Sequence, residues 1–204
     1  MSIQQSVVTL DVEGVLIPEI WIAVAEATGI DGLTRTTRDE PDYDVLMKGR
    51  LALLADHGVT MTQISQVISD LGPLDGAKGF LDELRSKTQV VLLSDTFEQF
   101  GMPMMAHLGW PTLFCHRLEI ENDQITNYKL RMPDQKKHAV AAFKGLNYFV
   151  AAAGDSYNDT SMLMQADAGF LFHAPAHVIS EFPQFPALDT YDELLTHLLG
   201  SLPT

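Results

Sequence analysis

The sequence predicts an α/β protein with a Rossmann-like, mainly parallel β-sheet that is flanked by helices and carries an inserted helical cap. Three apolar, β-rich stretches end abruptly in acidic residues, at 6–14, 89–97 and 148–159. Continuous apolar runs of this kind are typical of strands that are buried on both faces of a parallel sheet. Because helical segments alternate with these strands, we expect right-handed crossovers between parallel neighbours.

The remaining core elements follow from shorter patterns. Residues 112–115 and 168–172 are short apolar runs that predict two further strands. Residues 116–132 predict a hairpin that turns at Asn122 and Asp123, since both residue types favour turns. Apolar residues at helical spacing predict core helices at 75–87, 97–109, 135–146 and 159–166.

The segment between the first two strands is too long for a single crossover. It contains three stretches with helical character, at 18–30, 43–58 and 60–72. We therefore expect an α/β core formed by residues 1–16 and 75–204, and a helical cap domain formed by residues 17–74.

Composition limits the kind of protein. The chain has 204 residues, of which 46% are hydrophobic and 20% charged, which is typical of a globular domain. A formal net charge of −14 argues against a nucleic-acid partner, because phosphate backbones need clustered Lys and Arg. No apolar run approaches the roughly 18 residues of a membrane span, and MSIQQSVVTL lacks the features of a signal peptide. The lone Cys115 suits a reducing compartment, so a cytoplasmic location is expected.

Acidic side chains gather where the predicted strands end. Asp11, Asp95 and Asp155 each follow or close an apolar run, and ligands of open α/β sheets bind beyond the carboxyl ends of the strands. Asp11, Glu13 and Asp155 offer the hard oxygen ligands that Mg²⁺ accepts. Without a cation, mutual repulsion would raise their pKa values. The sequence therefore predicts a magnesium site at this edge.

The same residues permit phosphoryl transfer. Asp11, fixed at a strand end, can attack phosphorus and form an aspartyl-phosphate. Glu13 can protonate the leaving oxygen and then deprotonate the acceptor. Ser94 offers a hydroxyl, and either Lys136 or Lys137 can supply positive charge at a helix start. Spacing to the third acidic strand end favours Lys136 over Lys137.

Four motifs in this order resemble those of haloacid-dehalogenase-type phosphotransferases. They are DVEG at 11–14, SDT at 94–96, a lysine before the third strand, and GDSYND at 154–159. The resemblance spans nearly the whole chain and implies a Rossmann-like core with a helical cap.

Within that superfamily, the cap position and its Glu19 and Arg50 resemble phosphoserine phosphatases. Five stretches are similar to the subgroup that also transfers the phosphoryl group to homoserine, namely 10–23, 37–51, 92–97, 152–160 and 173–187.

The resemblance also implies residue roles. Asp11 would be the nucleophile and Glu13 the general acid and base. Mg²⁺ would be held by the Asp11 side chain, the Glu13 backbone carbonyl and Asp155, with Asp159 in its outer shell. The residues implied to bind substrate are Glu19 (ammonium), Arg50 (carboxylate), Ser94, Asp95, Lys136 and Asn158.

Three departures from the usual pattern favour the homoserine-transferring subgroup. Glu13 stands where the second acid is usually aspartate, and Val15 stands where a hydroxyl residue is usual. The stretch 94–96 reads Ser-Asp-Thr instead of Ser-Gly-Gly. Our hypothesis is that the longer Glu13 arm and Asp95 orient an alcohol acceptor.

The resemblance thus implies a Mg²⁺-dependent enzyme of serine and threonine biosynthesis that takes phosphate from O-phosphoserine and passes it to water or homoserine. One alternative is a phosphatase of another small phosphomonoester. A second is a non-enzymatic receiver module phosphorylated on aspartate, although the long insertion after the first acid argues against the open face that such a module needs. The oligomeric state is left open, with a homodimer as one alternative.

Overall fold

A seven-stranded β-sheet forms the centre of the protein in a computed structural model. The structure describes residues 4–36, 39–40 and 42–203. The parts of the predicted core and cap that lie outside the described residues are 1–3, 37, 38, 41 and 204.

The described strands are β1 (Gln5–Leu10), β2 (Gln89–Phe97), β3 (Thr112–Glu121), β4 (Gln124–Lys129), β5 (Tyr148–Gly154), β6 (Ala168–Phe172) and β7 (Ala187–Leu188). Their order across the sheet is β4-β3-β2-β1-β5-β6-β7, and every neighbouring pair is parallel except the β3–β4 hairpin. The predicted α/β class with a mainly parallel sheet is confirmed.

The described α-helices are α1 (Ile20–Thr28), α2 (Tyr43–Asp56), α3 (Met61–Leu71), α4 (Ala77–Arg85), α5 (Glu98–His107), α6 (Gln135–Gly145), α7 (Thr160–Gln165), α8 (Ala176–Glu181) and α9 (Tyr191–Ser201). Among the described residues, no helix combines the length and the apolar character needed to cross a bilayer.

Different helices cover the two faces of the sheet, and successive side chains of β1 pack against one set and then the other. Val8 and Leu10 belong to a large apolar cluster shared with α1, α3, α4, α5 and α9. Val7 points to the opposite face, into a smaller cluster with residues of α6, α7 and α8. Successive side chains of a strand point to opposite faces, so β1 is buried on both sides at the centre of the sheet.

Helices α1, α2 and α3 are inserted between β1 and β2. Helix α3 begins with a complete capping box of Thr60 and Gln63. Its first turn is also held by the hairpin, because the Asp123 carboxylate accepts hydrogen bonds from the Thr62 N–H and hydroxyl, both at 3.0 Å. The inserted helices are thus anchored to the sheet, while the predicted domain boundaries at 17 and 74 stay a prediction.

The structure differs from the expected elements in several lengths. Strand β1 stops at Leu10, one residue before Asp11, so the acidic motif lies wholly in the following turn. The expected strand at 112–115 continues to Glu121, because it pairs with β4 in the hairpin. The apolar patterns did not predict α8, β7 and α9, which complete the far edge of the sheet.

Candidate active site

Strands β1, β2 and β5 are neighbours, and their carboxyl ends bring the acidic motifs together. The Asp11 N–H donates to the carbonyl of Ala153 at 3.0 Å, which extends the β1–β5 pairing by one residue. Carboxylate oxygens of Asp11, Asp155 and Asp159 all lie within 4.8 Å of one another. Three acids from distant parts of the sequence therefore form one cluster.

Lys136 is the ammonium group of this cluster. It lies in the first turn of α6 and is only 2% exposed. Its Nζ donates to Asp11 Oδ1 and to Asp159 Oδ1, both at 2.7 Å. Burial acts to lower the pKa of Lys136, but the surrounding carboxylates outweigh it and hold that pKa well above its usual value. Lys137 is exposed and lies near Asp134 instead, so the structure places Lys136 in the cluster.

Two glycines allow the acidic loops to approach this closely. Gly14 has φ +77°, and a Cβ built on it would lie 2.5 Å from Asp155 Oδ2. A Cβ on Gly154 would lie 2.4 Å from the Cβ of Asp159. Neither contact is sterically tolerable, so the glycines of the DVEG and GDSYND motifs are needed for the cluster itself.

Asp159 organises the loop after β5. It is fully buried, and its Oδ2 accepts hydrogen bonds from the backbone N–H groups of Asp155 and Ser156, both at 3.1 Å. Because its other oxygen accepts from Lys136, the hydrogen bonds of Asp159 engage both oxygens. Lys136 donates to Oδ1 of Asp11, so Oδ2 takes no part in that hydrogen bond.

The excess of carboxylates perturbs the acids. Burial, then Asp159 and Glu19, raises the pKa of Asp155 to about 7. Burial and Asp159 likewise raise the pKa of Asp11, with Lys136 acting in the opposite direction. Closely spaced oxygen donors whose ionised forms repel one another fit a divalent cation, which would remove that repulsion.

Glu13 lies in the turn after β1 and reaches the start of α1. Its Oε2 accepts a hydrogen bond from the backbone N–H of Ile20 at 3.0 Å. Burial, followed by the nearby charge of Glu19, raises the pKa of Glu13 to about 7. A carboxyl group with this pKa can both give and take a proton near neutral pH.

A cavity of about 370 Å³ lies between the strand ends and helices α1 and α2. All the residues predicted for the site line this cavity except Asp159, which is buried. The lining residues among them are Asp11, Glu13, Glu19, Arg50, Ser94, Asp95, Lys136, Asp155 and Asn158. The inserted helices therefore form one wall of the cavity and the strand ends form the other.

Arg50 enters this cavity from α2. It is 7% exposed, its guanidinium lies 4.6 Å from the centre of the Trp21 ring, and its Nη2 donates to the Arg35 carbonyl at 2.6 Å. Its Nε is buried and has no hydrogen-bond partner among the described residues. Because the positively charged guanidinium lines the cavity, this position is suited to an anionic ligand group. Glu19 is exposed at the rim of the same cavity.

Asp95 closes the cavity beside Lys136. Its Oδ2 accepts a hydrogen bond from Asn158 Nδ2 at 2.9 Å and lies 3.5 Å from Lys136 Nζ. Burial acts to raise its pKa, but Lys136, with hydrogen bonds from His116 and Asn158, holds that pKa well below the usual range. Asp95 is thus an ionised anchor for its neighbours.

Sequence reasoning missed three residues around Asp95. The Tyr43 hydroxyl of α2 donates to the Asp95 carbonyl at 3.3 Å, and His116 and Gln135 approach its carboxylate. No motif marks any of them. The one available signal was the position of Gln135 immediately before Lys136.

The sequence is similar to those of several known proteins. The sequence model of the haloacid dehalogenase-like hydrolases matches residues 6–167. The phosphoserine phosphatase ThrH of Pseudomonas aeruginosa is 60% identical over 191 residues, which cover 93% of both chains. A phosphoserine phosphatase of Pseudomonas syringae pv. tomato is 61% identical over 186 residues, which cover 91% of this chain and 78% of the relative.

A solved structure supports the fold independently. The phospho-aspartyl intermediate analogue of phosphoserine phosphatase superposes with a TM-score of 0.80 at 17% identity, covering 96% of this chain and 99% of that one. Taken together with the acidic cluster at the strand ends, these similarities show that the chain belongs to the haloacid dehalogenase-like hydrolases, in the group that contains these phosphoserine phosphatases.

Proposed function

We propose that the protein is a Mg²⁺-dependent phosphatase of O-phosphoserine that also transfers the phosphoryl group to homoserine, through an aspartyl-phosphate on Asp11. One observation carries the proposal: the lysine-paired Asp11 and the buried Arg50 guanidinium line the same cavity. The first suits a phosphoryl group and the second a carboxylate, and phosphoserine carries both. The two relatives that share 60% and 61% of their residues with this chain are named phosphoserine phosphatases.

Asp11 is the nucleophile in this proposal. Lys136 holds Oδ1, so Oδ2 is the oxygen that attacks phosphorus. The new Oδ2–P bond forms as the bond from phosphorus to the serine oxygen breaks. Burial of the Asp11–Lys136 pair fixes the attacking carboxylate before substrate arrives, which lowers the entropic cost of alignment.

Glu13 moves the protons in both halves of the reaction. In the first half its protonated form gives a proton to the departing serine oxygen. In the second half its carboxylate takes a proton from water or from the homoserine hydroxyl, which attacks phosphorus and frees Asp11. A pKa raised to about 7 makes both forms available near neutral pH.

The residues that would hold Mg²⁺ are the Asp11 and Asp155 side chains and the Glu13 backbone carbonyl, with Asp159 behind them. A bound Mg²⁺ supplies positive charge that offsets the negative charge of the phosphoryl oxygens. Asp159 supports this site by fixing the loop that carries Asp155.

Ser94 and Lys136 receive the phosphoryl oxygens. The Ser94 hydroxyl oxygen accepts a hydrogen bond from the Thr96 N–H at 3.2 Å, so its own proton remains to be donated. The Lys136 ammonium lies beside the oxygen of Asp11 that does not attack. Donors placed in advance at a buried site favour charge that develops during transfer.

Arg50 and Glu19 select the amino-acid part of the substrate. The guanidinium of Arg50, which lies over the Trp21 ring and lines the cavity, offers N–H donors and positive charge to the carboxylate. Glu19 at the rim offers a carboxylate to the ammonium group. The orientation of the acceptor hydroxyl is assigned to Glu13 and Asp95, which both line the cavity.

The proposal is tested by following labelled phosphate. Phosphoserine labelled in the phosphoryl group is incubated with the protein, with and without Mg²⁺ and homoserine. We expect Mg²⁺-dependent release of labelled phosphate, and labelled phosphohomoserine when homoserine is present. Absence of phosphate release contradicts the phosphatase assignment, and release without labelled phosphohomoserine contradicts the transfer assignment. Glycerol 3-phosphate serves as the control ester, since it lacks the carboxylate and ammonium groups.

A further inference from the structure

The regular pairing of β2 is interrupted close to the proposed phosphoryl site. Its parallel pairing with β1 ends at Leu92, and its register with β3 shifts between Leu93 and Phe97. Residues 94–96, which carry the Ser94 hydroxyl and the Asp95 carboxylate, lie in this break. The segment therefore needs support from side chains in place of regular sheet pairing.

Gln135 supplies part of that support. It is 1% exposed, and its Nε2 donates to the Ser94 carbonyl and lies 3.3 Å from Asp95 Oδ1. One amide group thus contacts both the backbone and the acidic side chain of the β2 end.

Arg131 fixes the direction of the Gln135 amide. Its Nε and Nη2 donate to Gln135 Oε1 at 3.1 and 2.9 Å. Arginine has donors and no acceptors, so the amide oxygen must face Arg131 and the NH₂ group must face β2. The guanidinium is itself held 5.3 Å from the centre of the Phe114 ring.

Arg131 also fixes the tautomer of His116. The Arg131 backbone N–H donates to His116 Nδ1 at 3.1 Å, so that nitrogen presents a lone pair. The ring proton of the neutral imidazole is then on Nε2, which lies 3.6 Å from Asp95 Oδ1 and 3.4 Å from Gln135 Nε2. Since both of these nitrogens are donors, Asp95 Oδ1 is the acceptor next to each of them. His116 is 6% exposed and lies opposite Phe97, next to the break in register.

We propose that Arg131, Gln135 and His116 form a positioning unit that holds Asp95 and, through it, the phosphoryl-binding end of β2. The unit serves the site of the proposed function without touching the substrate. Asp95 transmits its support to Asn158, which donates to the carboxylate oxygen on the cavity side.

The test uses p-nitrophenyl phosphate and phosphoserine with three variants. Gln135→Glu keeps the size and the contacts to Arg131 but turns the amide donors into acceptors. Gln135→Met removes the donors without adding charge. Gln99→Glu is the matched control, since the Gln99 amide also bonds a β-strand backbone, with both of its hydrogen bonds to Leu118 of β3.

We expect both Gln135 variants to lose up to about 100-fold in kcat for p-nitrophenyl phosphate with KM nearly unchanged, because the phosphoryl-binding groups are displaced. Their unfolding temperatures should also fall, since each variant leaves buried polar groups without a partner, so kcat is compared well below the unfolding transition of every variant. Gln99→Glu should keep kcat within about twofold of the parent, as expected for a change far from the reacting atoms. Combining Gln135→Glu with Asp95→Asn restores a donor–acceptor pair and should recover about tenfold, a coupling expected only between contacting residues.

Wild-type kcat in both Gln135 variants overturns the proposal. A loss of kcat that is fully explained by a lower fraction of folded protein at the assay temperature also overturns it. If Gln135→Met does not fold, the isosteric Gln135→Glu and its double variant decide the matter. Parent enzyme that cleaves p-nitrophenyl phosphate but not phosphoserine refutes the proposed substrate and leaves this comparison valid. Parent enzyme that cleaves neither ester contradicts both proposals.

Discussion

The cluster of Asp11, Asp155 and Asp159 around Lys136 makes stability depend on a divalent cation. The pKa of Asp155 is raised to about 7, so its charged form is disfavoured in the folded protein. In metal-free protein the raised pKa lowers the free energy of unfolding. This loss develops as the pH rises from 3.8, the pKa of Asp155 in the unfolded chain, to about 7, its pKa in the folded protein. Mg²⁺ bound between the carboxylates would offset that cost.

Mg²⁺ binding should raise the unfolding temperature of the protein by a measurable amount. At a Mg²⁺ concentration of 100 times the dissociation constant, binding stabilises the folded state by about 2.7 kcal/mol. A chain of this length gains about 2–4 °C in unfolding temperature per kcal/mol, so the expected shift at pH 8 is about 5–10 °C.

Lowering the pH should reduce this shift. At pH 6, protonation of a group with a pKa of about 7 leaves about one tenth of Asp155 ionised, which weakens Mg²⁺ binding about tenfold. The loss is about 1.4 kcal/mol, so the shift in unfolding temperature should fall to about half its value at pH 8.

Differential scanning calorimetry with and without Mg²⁺ at the two pH values measures this directly. Asp155→Asn is the control: it should lose most of the Mg²⁺ shift and, without metal, be more stable than the parent at pH 8. Equal Mg²⁺ shifts at pH 6 and pH 8, or an undiminished shift in Asp155→Asn, would refute the reasoning.

Three further changes should have distinct effects. Lys136→Met leaves the buried Asp11 and Asp159 carboxylates without their cation, so it should abolish turnover and lower the free energy of unfolding by about 3–5 kcal/mol. A urea titration at pH 7 measures this loss, and unchanged stability would contradict the prediction. Arg50→Lys should raise KM for phosphoserine about tenfold, while the turnover of p-nitrophenyl phosphate stays near the parent value. An equal loss of kcat/KM for both esters would argue against carboxylate binding by Arg50. Gly14→Ala places a Cβ against Asp155 and strains a left-handed turn, so Mg²⁺ should stabilise this variant less than the parent, as calorimetry would show.

Much of the site was predictable because the chemistry is concentrated at strand ends. The apolar runs before Asp11 and Asp155 identify buried parallel strands, and parallel neighbours place their carboxyl ends at one edge. The choice between Lys136 and Lys137 was harder from sequence, since both begin the same helix. The structure separates them because only one faces the inner side of α6.

The residues that contact Ser94 and Asp95 from outside the cavity were not predictable from local sequence patterns. Gln135 meets Ser94 across 41 positions of sequence, and His116 meets Gln135 across 19. Such contacts depend on the break in the β2–β3 register, which no local propensity encodes. Likewise, β7 is only two residues long and is defined by its pairing with β6 rather than by an apolar pattern.

The covalent step is tested most directly by trapping the phosphorylated enzyme. Protein incubated briefly with labelled phosphoserine and Mg²⁺ is quenched in acid, digested, and the labelled peptide is located by mass spectrometry. The proposed mechanism predicts label on Asp11, and neither label nor turnover in Asp11→Asn. Label on another residue, or full turnover by Asp11→Asn, would contradict it.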